Sequence, residues 1–368
     1  MFITNSSILL ILSLICITAN ANQGLVGQSC VHKGKEGVCK SIIHCEKPCA
    51  KAEERLSPCD PSRRGIVCCP NPRNVEPISA KKCQEYKERV CSVHFVGNTP
   101  GRLTKNKVYF CAANTEAVIM NGENAALNEF PHMALVGYIK DNITNFVCGG
   151  SLISHYFVLT AAHCLRPVRL GNVTHVRLGE HDESKTDETN HEDFDVVERI
   201  PHENYTARSF YYDIGLLKLG KKVVFNPRLR PLCLPEINTF GSRLIAAGWG
   251  HNGTNTRSEV LSKVSLEVFD HNKCSKENEP FSQLRRGINE ETQFCAGSTT
   301  ASNNTCKGDS GGPLVHIHPH YNCTYVIEGI TSFGGKCVND SRSIGAYTRV
   351  SYFVEWIENI VWPNILEP

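Results

Sequence analysis

Nineteen cysteines are the feature that most constrains how this 368-residue chain can fold. Thiols in such number are typical of proteins that fold in an oxidising compartment. Seven of them crowd into the stretch from Cys30 to Cys69, which holds few large apolar side chains and therefore needs disulfides to fold. Zinc binding is the alternative, but no second CxxC motif or Cys/His quartet occurs at ligand spacing. The pattern predicts a small disulfide-rich module at residues 30–69.

The first 21 residues, 1–21, have the pattern of a signal peptide, in which an apolar run from Ile8 to Ile17 precedes the small residues up to Ala21. A membrane anchor is the alternative, but the run is shorter than the roughly 20 apolar residues that span a bilayer. Removal of the signal would also remove Cys16 and leave 18 cysteines, an even number. The formal net charge is +2, with acids and bases mixed and no basic stripe for nucleic acid. We therefore expect a secreted, extracellular protein that binds neither nucleic acid nor membrane.

Beyond the module, the sequence has two textures. Residues 70–118 are rich in Pro, Asn and Lys, which favours a linker. From residue 119 onward, short β-rich runs such as HMALVGYI and HVRLGEH alternate with Gly, Asn and Pro, a pattern typical of an all-β barrel or sandwich. The last run differs, because its apolar residues fall on one helical face before Pro363. This amphipathic helix closes the chain, with its apolar face at Phe353, Trp356, Ile357, Ile360 and Val361.

Three motifs carry candidate catalytic residues: TAAHC around His163, YYDIGLLKL around Asp213 and GDSGGP around Ser310. A serine hydroxyl is a poor nucleophile at neutral pH unless a base takes its proton. An imidazole can be that base, and a carboxylate fixes its tautomer and stabilises its cation. Each motif alone could be structural, but the three together, in the order His, Asp, Ser, indicate nucleophilic catalysis.

With these motifs and AGWG at residues 247–250, the chain over residues 119–368 resembles the protease domain of the chymotrypsin (S1) family of serine proteases. The resemblance implies two antiparallel β-barrels with the active site between them, and an oxyanion hole formed by the backbone N–H groups of Gly308 and Ser310. A catalytically silent homologue that serves as an adaptor is the alternative, although such homologues usually lack a triad residue. The resemblance also implies the disulfides Cys148–Cys164, Cys274–Cys295 and Cys306–Cys337.

The spacing of the N-terminal cysteines, with Cys68 next to Cys69, resembles the clip domain that precedes protease domains in arthropod zymogens. The segments ISAKKCQEY and RPLCLP resemble the tether that joins the clip chain to the protease chain after activation. With LRRGI at residues 284–288 and IENIVWP near the end, the whole chain resembles the insect clip-domain serine proteases of the Snake and Persephone group and related venom proteases. The implied disulfides are Cys30–Cys68, Cys39–Cys59, Cys45–Cys69, Cys83–Cys233 and Cys91–Cys111, and we hypothesise that the remaining Cys49 and Cys323 pair with each other.

The segment VIMNGENAALNEFPHM resembles the start of an activated protease domain, so the resemblance implies a zymogen that is cut between Val118 and Ile119. The freed α-amino group of Ile119 would insert and pair with Asp309, which would shape the pocket and the oxyanion hole. Val118 stands where activation sites usually have Arg or Lys, and this implies an elastase-like activator. The alternative is a first cut at Arg102, Lys105 or Lys107 that is followed by trimming.

By the same resemblance, Asn304, six residues before the nucleophile, stands at the base of the specificity pocket, and Ser332, Gly334 and Gly345 contribute to that pocket. An Asp at the base would select Arg or Lys, because a desolvated charge pair is favourable and an unpaired cation is costly. Asn304 keeps the hydrogen bonding but lacks the charge. The sequence therefore predicts that neutral residues become competitive at P1. The alternative is that Asn304 still accepts Arg through water and carbonyl groups.

The chemistry requires no cofactor, but two segments suggest metal binding. The acidic stretch from Glu180 to Glu192 resembles the calcium loop of some family members, and these two carboxylates are the candidate ligands; a solvated charged loop is the alternative. In HIHPH, His316, His318 and His320 would share one face of a strand, yet a proline interrupts them, which favours a surface loop. Glycosylation sequons occur at Asn142, Asn172, Asn204, Asn252, Asn303, Asn322 and Asn339.

We interpret the chain as a secreted serine endopeptidase made as a zymogen, which resemblance assigns to an extracellular cascade of immunity, melanisation or development, or to venom. The expected partners are an upstream activating protease, a protein substrate such as a downstream clip-protease zymogen, and serpin-type inhibitors. Two other classes remain open. One is a silent clip adaptor of such a cascade, and the other is an inhibitor built on the cysteine-rich module.

Overall fold

The computed structural model describes residues 28–32, 35–41, 58–59, 66–70, 77–90, 93–95, 107–109, 123–141, 143–166, 171–185, 191–236, 241–251, 257–278, 282–298, 308–318, 321–334 and 343–363. The contacts divide the chain into two compact units, one of Met1–Val75 with Ile237–Thr239 and one of Glu76–Glu236 with Phe240–Pro368. Several predicted features lie outside the described residues: the signal peptide, Cys45, Cys49, Cys91, Cys111, Val118, Ile119, Asn304, Cys306, His320 and Cys337.

The N-terminal unit is built on a three-stranded antiparallel sheet in the order β1-β2-β3. Its strands are β1 (Ser29–His32), β2 (Lys35–Ser41) and β3 (Ile66–Pro70). Two disulfides join Cys30 to Cys68 and Cys39 to Cys59, which are pairs that the clip-domain resemblance implies. Cys69 is also disulfide-bonded, to a residue outside the described part. The cross-links compensate for the small apolar core of this unit.

The stretch between the two predicted domains is not a plain linker. It contains helix α1 (Ile78–Val90) and a two-stranded antiparallel sheet of β4 (Val93–Phe95) and β5 (Lys107–Tyr109). Helix α1 belongs to the larger unit, where the disulfide Cys83–Cys233 attaches it. The assignment of residues 70–118 to a linker and activation peptide stays a prediction, and the helix within it was missed because a polar composition does not reveal a buried helical face.

The first half of the larger unit is a closed six-stranded antiparallel barrel. Strand β10 pairs with both β7 and β11, and this closes the ring and leaves no free edge. The hairpin between β7 and β8 turns at Asp141, whose φ of 52° is a left-handed conformation that Asp tolerates. The strands are β7 (Met133–Lys140), β8 (Ile143–Leu152), β9 (Phe157–Thr160), β10 (His175–Leu178), β11 (Glu192–Pro201) and β12 (Gly215–Leu219), and β6 (Glu123–Asn124) precedes them.

The second half is another six-stranded ring, because β13 pairs with both β14 and β16. Strand β6 adds to the outside of this ring by pairing with β14. Its core is packed from alternate residues of the strands, among them Leu244, Leu266, Phe294 and Tyr347. The strands are β13 (Arg243–Gly248), β14 (Ser262–Phe269), β15 (Gln293–Ser298), β16 (Pro313–His318), β17 (Tyr321–Phe333) and β18 (Ser343–Arg349).

Helices are few in the described part of the larger unit. After α1 come α2 (Ala162–Leu165), α3 (His271–Glu277) and α4 (Val354–Val361), and α4 follows a 3-10 turn at Val350–Phe353. The predicted all-β double barrel with a C-terminal helix is therefore confirmed. No helix among the described residues is long and apolar enough to cross a membrane.

The histidines of HIHPH do not form the predicted surface loop where they are described. His316 and His318 lie in β16, and His318 is buried. A register irregularity between residues 317 and 318 interrupts the alternation of the strand. The imidazole of His316 lies 3.4 Å from the carboxylate of Glu328, and the side chain of His318 lies near the sulfurs of Cys83 and Cys233. The imidazoles of His316 and His318 therefore have different neighbours, and the hypothesis that they converge on a metal gains no support here.

Candidate active site

His163 is presented by α2, a single helical turn that directly follows strand β9. Its backbone N–H donates to Oδ1 of Asp213 at 2.9 Å, and its ring Nδ1 lies 2.8 Å from Oδ2 of the same carboxylate. Since a carboxylate can only accept, the proton belongs on Nδ1, and Nε2 is left as the base. The neighbouring disulfide Cys148–Cys164 ties this turn to strand β8.

Asp213 is completely buried, and the second barrel contributes to its hydrogen bonding. The hydroxyl of Ser332, on β17, donates to Oδ2 at 2.5 Å, and the hydroxyl of Thr348, on β18, donates to the backbone carbonyl of Asp213 at 2.9 Å. The preceding Tyr212 has a φ of 55°, and it is held by stacking on His202 with ring centroids 5.2 Å apart. Sequence reasoning missed Thr348 and assigned Ser332 only to the pocket.

Ser310 lies in a tight loop whose glycines allow backbone that other residues rarely adopt. Gly308 and Gly311 have φ of 99° and 78°. A Cβ on Gly311 would lie 2.2 Å from Oγ1 of Thr160 and 3.1 Å from Sγ of Cys164, and this sulfur lies 3.6 Å from Nε2 of His163. The backbone carbonyl of Ser310 accepts from Gly149 at 2.8 Å. The loop therefore packs against the first barrel beside His163, and the three motifs come together.

The electrostatics of the pair suit general base catalysis. Burial of the ring lowers the pKa of His163, but the negative charge of Asp213 and its hydrogen bond outweigh burial, so the pKa lies above the ordinary 6.5. The carboxylate of Asp213, held by these donors, orients the ring and stabilises the imidazolium that forms during proton transfer. The arrangement can therefore take the proton of a serine hydroxyl and return it to a leaving group. The oxyanion role of Gly308 and Ser310 stays a prediction.

Asp309, next to the serine, points its carboxylate at strand β13. The N–H of Gly250 donates to Oδ1 at 2.9 Å. A Cβ on Gly248 or on Gly250 would stand only 2.1 or 2.2 Å from carboxylate oxygens of Asp309, so both positions must be glycine for the side chain to fit. The AGWG motif thus forms the receptor for Asp309.

The predicted pocket residues within the described part lie on β17 and β18 or at their ends. Ser332 is buried and serves Asp213, while Gly334 is exposed and Gly345 is buried. Sequence reasoning missed an aromatic wall beside them, in which Phe210 stacks on Phe333 with ring centroids 4.4 Å apart. These rings stand three residues before Asp213 and one residue after Ser332. Their closeness in sequence to Asp213 and Ser332 was the signal from which these two rings could have been predicted.

The carboxylate of Glu180, which is proposed as a calcium ligand, already contacts two basic side chains of the protein. The buried carboxylate of Glu180 lies 3.3 Å from a guanidinium nitrogen of Arg177 and 3.1 Å from Nδ1 of His191. Arg177 also bonds Asp193 through two nitrogens, at 2.7 and 2.9 Å, and these bonds lower the pKa of Asp193. Calcium prefers several free carboxylate and carbonyl oxygens. Within the described part of this loop, Glu180 therefore does not fit as a calcium ligand, and of the two predicted ligands only Glu192 is left.

Two closed β-barrels, a His–Asp pair with a buried carboxylate and a serine in the adjacent glycine-rich loop define a chymotrypsin-like serine protease. The family model for trypsin matches residues 119–357, and the chain belongs to the trypsin family of serine proteases, which are hydrolases. It is 36% identical to serine protease snk of Drosophila melanogaster over 81% of this chain and 68% of that protein.

Two further relatives extend the comparison. Identity to the clotting factor G beta subunit of Tachypleus tridentatus is 37%, over 67% of this chain and 81% of that protein. Identity to CLIP domain-containing serine protease B4 of Anopheles gambiae is 28%, over 92% of this chain and 93% of that protein. The predicted resemblance to clip-domain serine proteases is confirmed.

The raised pKa of His163 predicts the acid limb of the activity profile. The ring must be neutral to act as a base, so kcat/KM of the activated enzyme will fall as pH drops through this pKa, with a midpoint above 6.5. Peptide hydrolysis measured across pH, with thermal unfolding in the same buffers as the control for folding, checks this. A midpoint below 6.5 in folded protein contradicts it.

The charge arrangement at Glu180 predicts that calcium is dispensable. Because Arg177 occupies the carboxylate that calcium would need, EDTA will leave the unfolding temperature unchanged. Replacing Arg177 by Met removes the internal cation and will lower that temperature. Differential scanning calorimetry with calcium or EDTA makes the comparison, and a calcium-dependent rise of several degrees in the unaltered protein would refute the prediction.

Proposed function

We propose that this chain is a secreted zymogen of a serine endopeptidase that hydrolyses peptide bonds of a protein substrate. The observation that carries the proposal is the hydrogen-bonded pair of His163 and Asp213, which is completed by Ser332 and stands beside the loop of Ser310. Nε2 of His163 takes the proton of the Ser310 hydroxyl as its oxygen attacks the scissile carbonyl. The same proton then goes to the leaving amine, and water repeats the sequence to release the acyl group.

Activation in this proposal is a cut between Val118 and Ile119 that frees an ammonium group for Asp309. Two observations support the expectation that the new amino group of Ile119 can reach Asp309. Strand β6 begins at Glu123, four residues after Ile119, and four extended residues span about 13 Å. Asn124 of β6 pairs with Ser262, which pairs with Gly248, and Gly248 borders the carboxylate of Asp309. Asp309 is thus about two strand spacings, or roughly 10 Å, from β6.

The proposed specificity is for neutral P1 residues, on the chemistry of Asn304. An amide at the base of the pocket offers hydrogen bonds and no negative charge, so an Arg or Lys side chain would be desolvated without a counter-ion. Against a site with Asp at this position, the preference for basic residues falls by a few kcal/mol. Val118 needs an activator that cleaves after a small apolar residue.

The setting we propose is an extracellular proteolytic cascade. A clotting factor subunit and a CLIP domain-containing serine protease stand among the relatives, and both names support this setting. The partners would then be an upstream activating protease, a downstream zymogen as substrate and serpin-type inhibitors. The exposed sequons at Asn172 and Asn204 would be accessible to glycosylation in a secreted protein.

The test is activation at a site of our choosing. A specific protease site engineered to end at position 118 will free Ile119, and the cleaved protein will then hydrolyse members of a P1 peptide library with neutral P1 residues. Ser310→Ala, cleaved in the same way, is the inactive control. Efficient cleavage after Arg would overturn the pocket argument. Failure to hydrolyse any peptide or to react with a fluorophosphonate, with Ile119 shown to be free, would favour the adaptor class.

Lys263 anchors the segment that follows the proposed cut. Its ammonium lies 2.8 and 3.0 Å from the two carboxylate oxygens of buried Glu129 and 3.2 Å from the exposed carboxylate of Glu123. Burial lowers the pKa of Lys263, but the hydrogen bonds and charges of these carboxylates outweigh it and the pKa is raised. Glu129 also accepts from the N–H of Ala126 at 2.7 Å. The segment is therefore fixed to strand β14.

We expect Lys263→Met to destabilise the zymogen by about 1–3 kcal/mol, because it leaves the buried carboxylate of Glu129 without its main donor. The cleaved form will also contain a smaller active fraction, since the segment ahead of Asp309 loses its anchor. Glu123→Gln, which removes the exposed partner of the same lysine, is the control and will have little effect. Thermal unfolding and active-site titration measure both variants. Equal losses in both would contradict the anchoring role.

A further inference from the structure

Helix α1 presents one buried face to the protease unit. Ile78, Ser79, Ala80, Cys83 and Tyr86 are buried, whereas Lys81 and Gln84 are exposed. Ser79, Cys83 and Tyr86 stand at i, i+4 and i+7, so they follow a single stripe along the helix. Each of the three makes a different kind of contact.

At the start of α1, Ser79 binds a carboxylate of the C-terminal helix. Both its backbone N–H and its hydroxyl donate to Oε1 of Glu358, at 2.9 and 2.6 Å. Glu358 is only 8% exposed, although it is an acid near the end of α4. The first N–H groups of a helix lack internal partners, and a carboxylate there is favourable. Glu358 thus caps the N-terminus of α1, although it stands 279 positions after Ser79 in the sequence.

Two turns further along, Tyr86 lies in an aromatic cluster. The indole N–H of Trp362 donates to its hydroxyl at 3.2 Å. Its ring stands edge-on to His155 and Phe225, with centroids 5.6 and 5.1 Å away. His155 and Phe225 stack on each other at 3.8 Å, and the His155 ring is fixed by the carbonyl of Val223. Aromatic edge-to-face pairs of this kind contribute beyond their buried area.

The disulfide Cys83–Cys233 lies between these two anchors, and both of its cysteines are buried. We propose that α1 is a subunit of the active protease whose non-covalent contacts alone keep it in its site on α4 and the first barrel, even when this disulfide is absent. The proposal rests on the proposed function in that it takes the chain to be cut ahead of Ile119. The disulfide then adds to a surface that would hold α1 without it. The partner bound at this surface is the chain's own N-terminal fragment.

A consequence for α4 follows from the same contacts. Without α1, the carboxylate of Glu358 would lose two donors and the indole N–H of Trp362 would lose its acceptor. Leaving such groups unpaired at a largely buried site is costly. On the opposite side of the helix, Trp356 and Phe353 contact His202, with centroids 5.2 and 5.1 Å away. The fragment that carries α1 therefore supports α4. Trp356 of α4 contacts His202, on which Tyr212, the residue before Asp213, is stacked.

The experiment uses the full chain with the engineered site at position 118, carrying Cys83→Ser and Cys233→Ser so that no bond joins the fragments. After cleavage, we expect two bands on a non-reducing denaturing gel and a single co-eluting peak in size-exclusion chromatography. Glu358→Gln in this background replaces a charged acceptor by a neutral one and will speed dissociation of the fragment at least about tenfold. Its control is Glu355→Gln, the same change on an exposed face of α4, which will leave dissociation unchanged.

Thermal unfolding of the uncleaved variants verifies that each has folded. Release of the fragment from the disulfide-free protein, or equal dissociation rates for the two glutamine variants, overturns the proposal. The same samples are assayed on the peptide library. A protein that keeps α1 bound but hydrolyses no peptide speaks against the proposed function and not against this binding surface.

Discussion

A single buried carboxylate organises the catalytic half of this molecule. Asp213 has no exposed surface, so its charge must be met by donors inside the protein. Those donors come from both barrels, since His163 follows β9 of the first and Ser332 lies on β17 of the second. Thr348 of β18 holds the backbone of the same residue. Separating the two barrels would remove the Ser332 donor from this carboxylate and the Thr348 donor from its backbone, so the contacts that complete the site also join the barrels.

The loop that carries Ser310 depends on positions that have no side chain. Gly311 packs its backbone against Thr160 and the carbonyl of Gly149, where a Cβ would collide. Gly248 and Gly250 open the space that Asp309 fills on the other side of the loop. The glycines thus let the loop of Ser310 approach the first barrel on one side and let Asp309 fit against Gly248 and Gly250 on the other. This explains physically why GDSGGP and AGWG are strong signals in sequence, because no other residue allows the approach.

Sequence reasoning succeeded where a segment carries its own signal and failed where the deciding contact comes from a residue outside that segment. The strand pattern predicted an all-β barrel or sandwich, and the apolar face of the last helix predicted α4. The three motifs predicted residues that the fold brings together, and the family resemblance that they carry implied the two barrels. Helix α1 escaped detection because its segment is polar and its partners, Glu358 and Trp362, stand 279 and 276 positions away. The acidic loop suggested calcium because Arg177, which neutralises it, lies outside the acidic stretch.

The two segments that flank the proposed cut are held independently of each other. Upstream, α1 is fixed by Ser79, Cys83 and Tyr86 to α4 and the first barrel. Downstream, β6 is paired with β14, and Lys263 of β14 binds both Glu123 of β6 and Glu129. A cut between them releases neither segment. In the proposed activation, the conformational change would be confined to the few residues ahead of β6 and the loops they touch, because the barrels, α4 and the His–Asp pair are already in place. The zymogen control that we propose would therefore act on the pocket and the oxyanion hole and leave the base untouched.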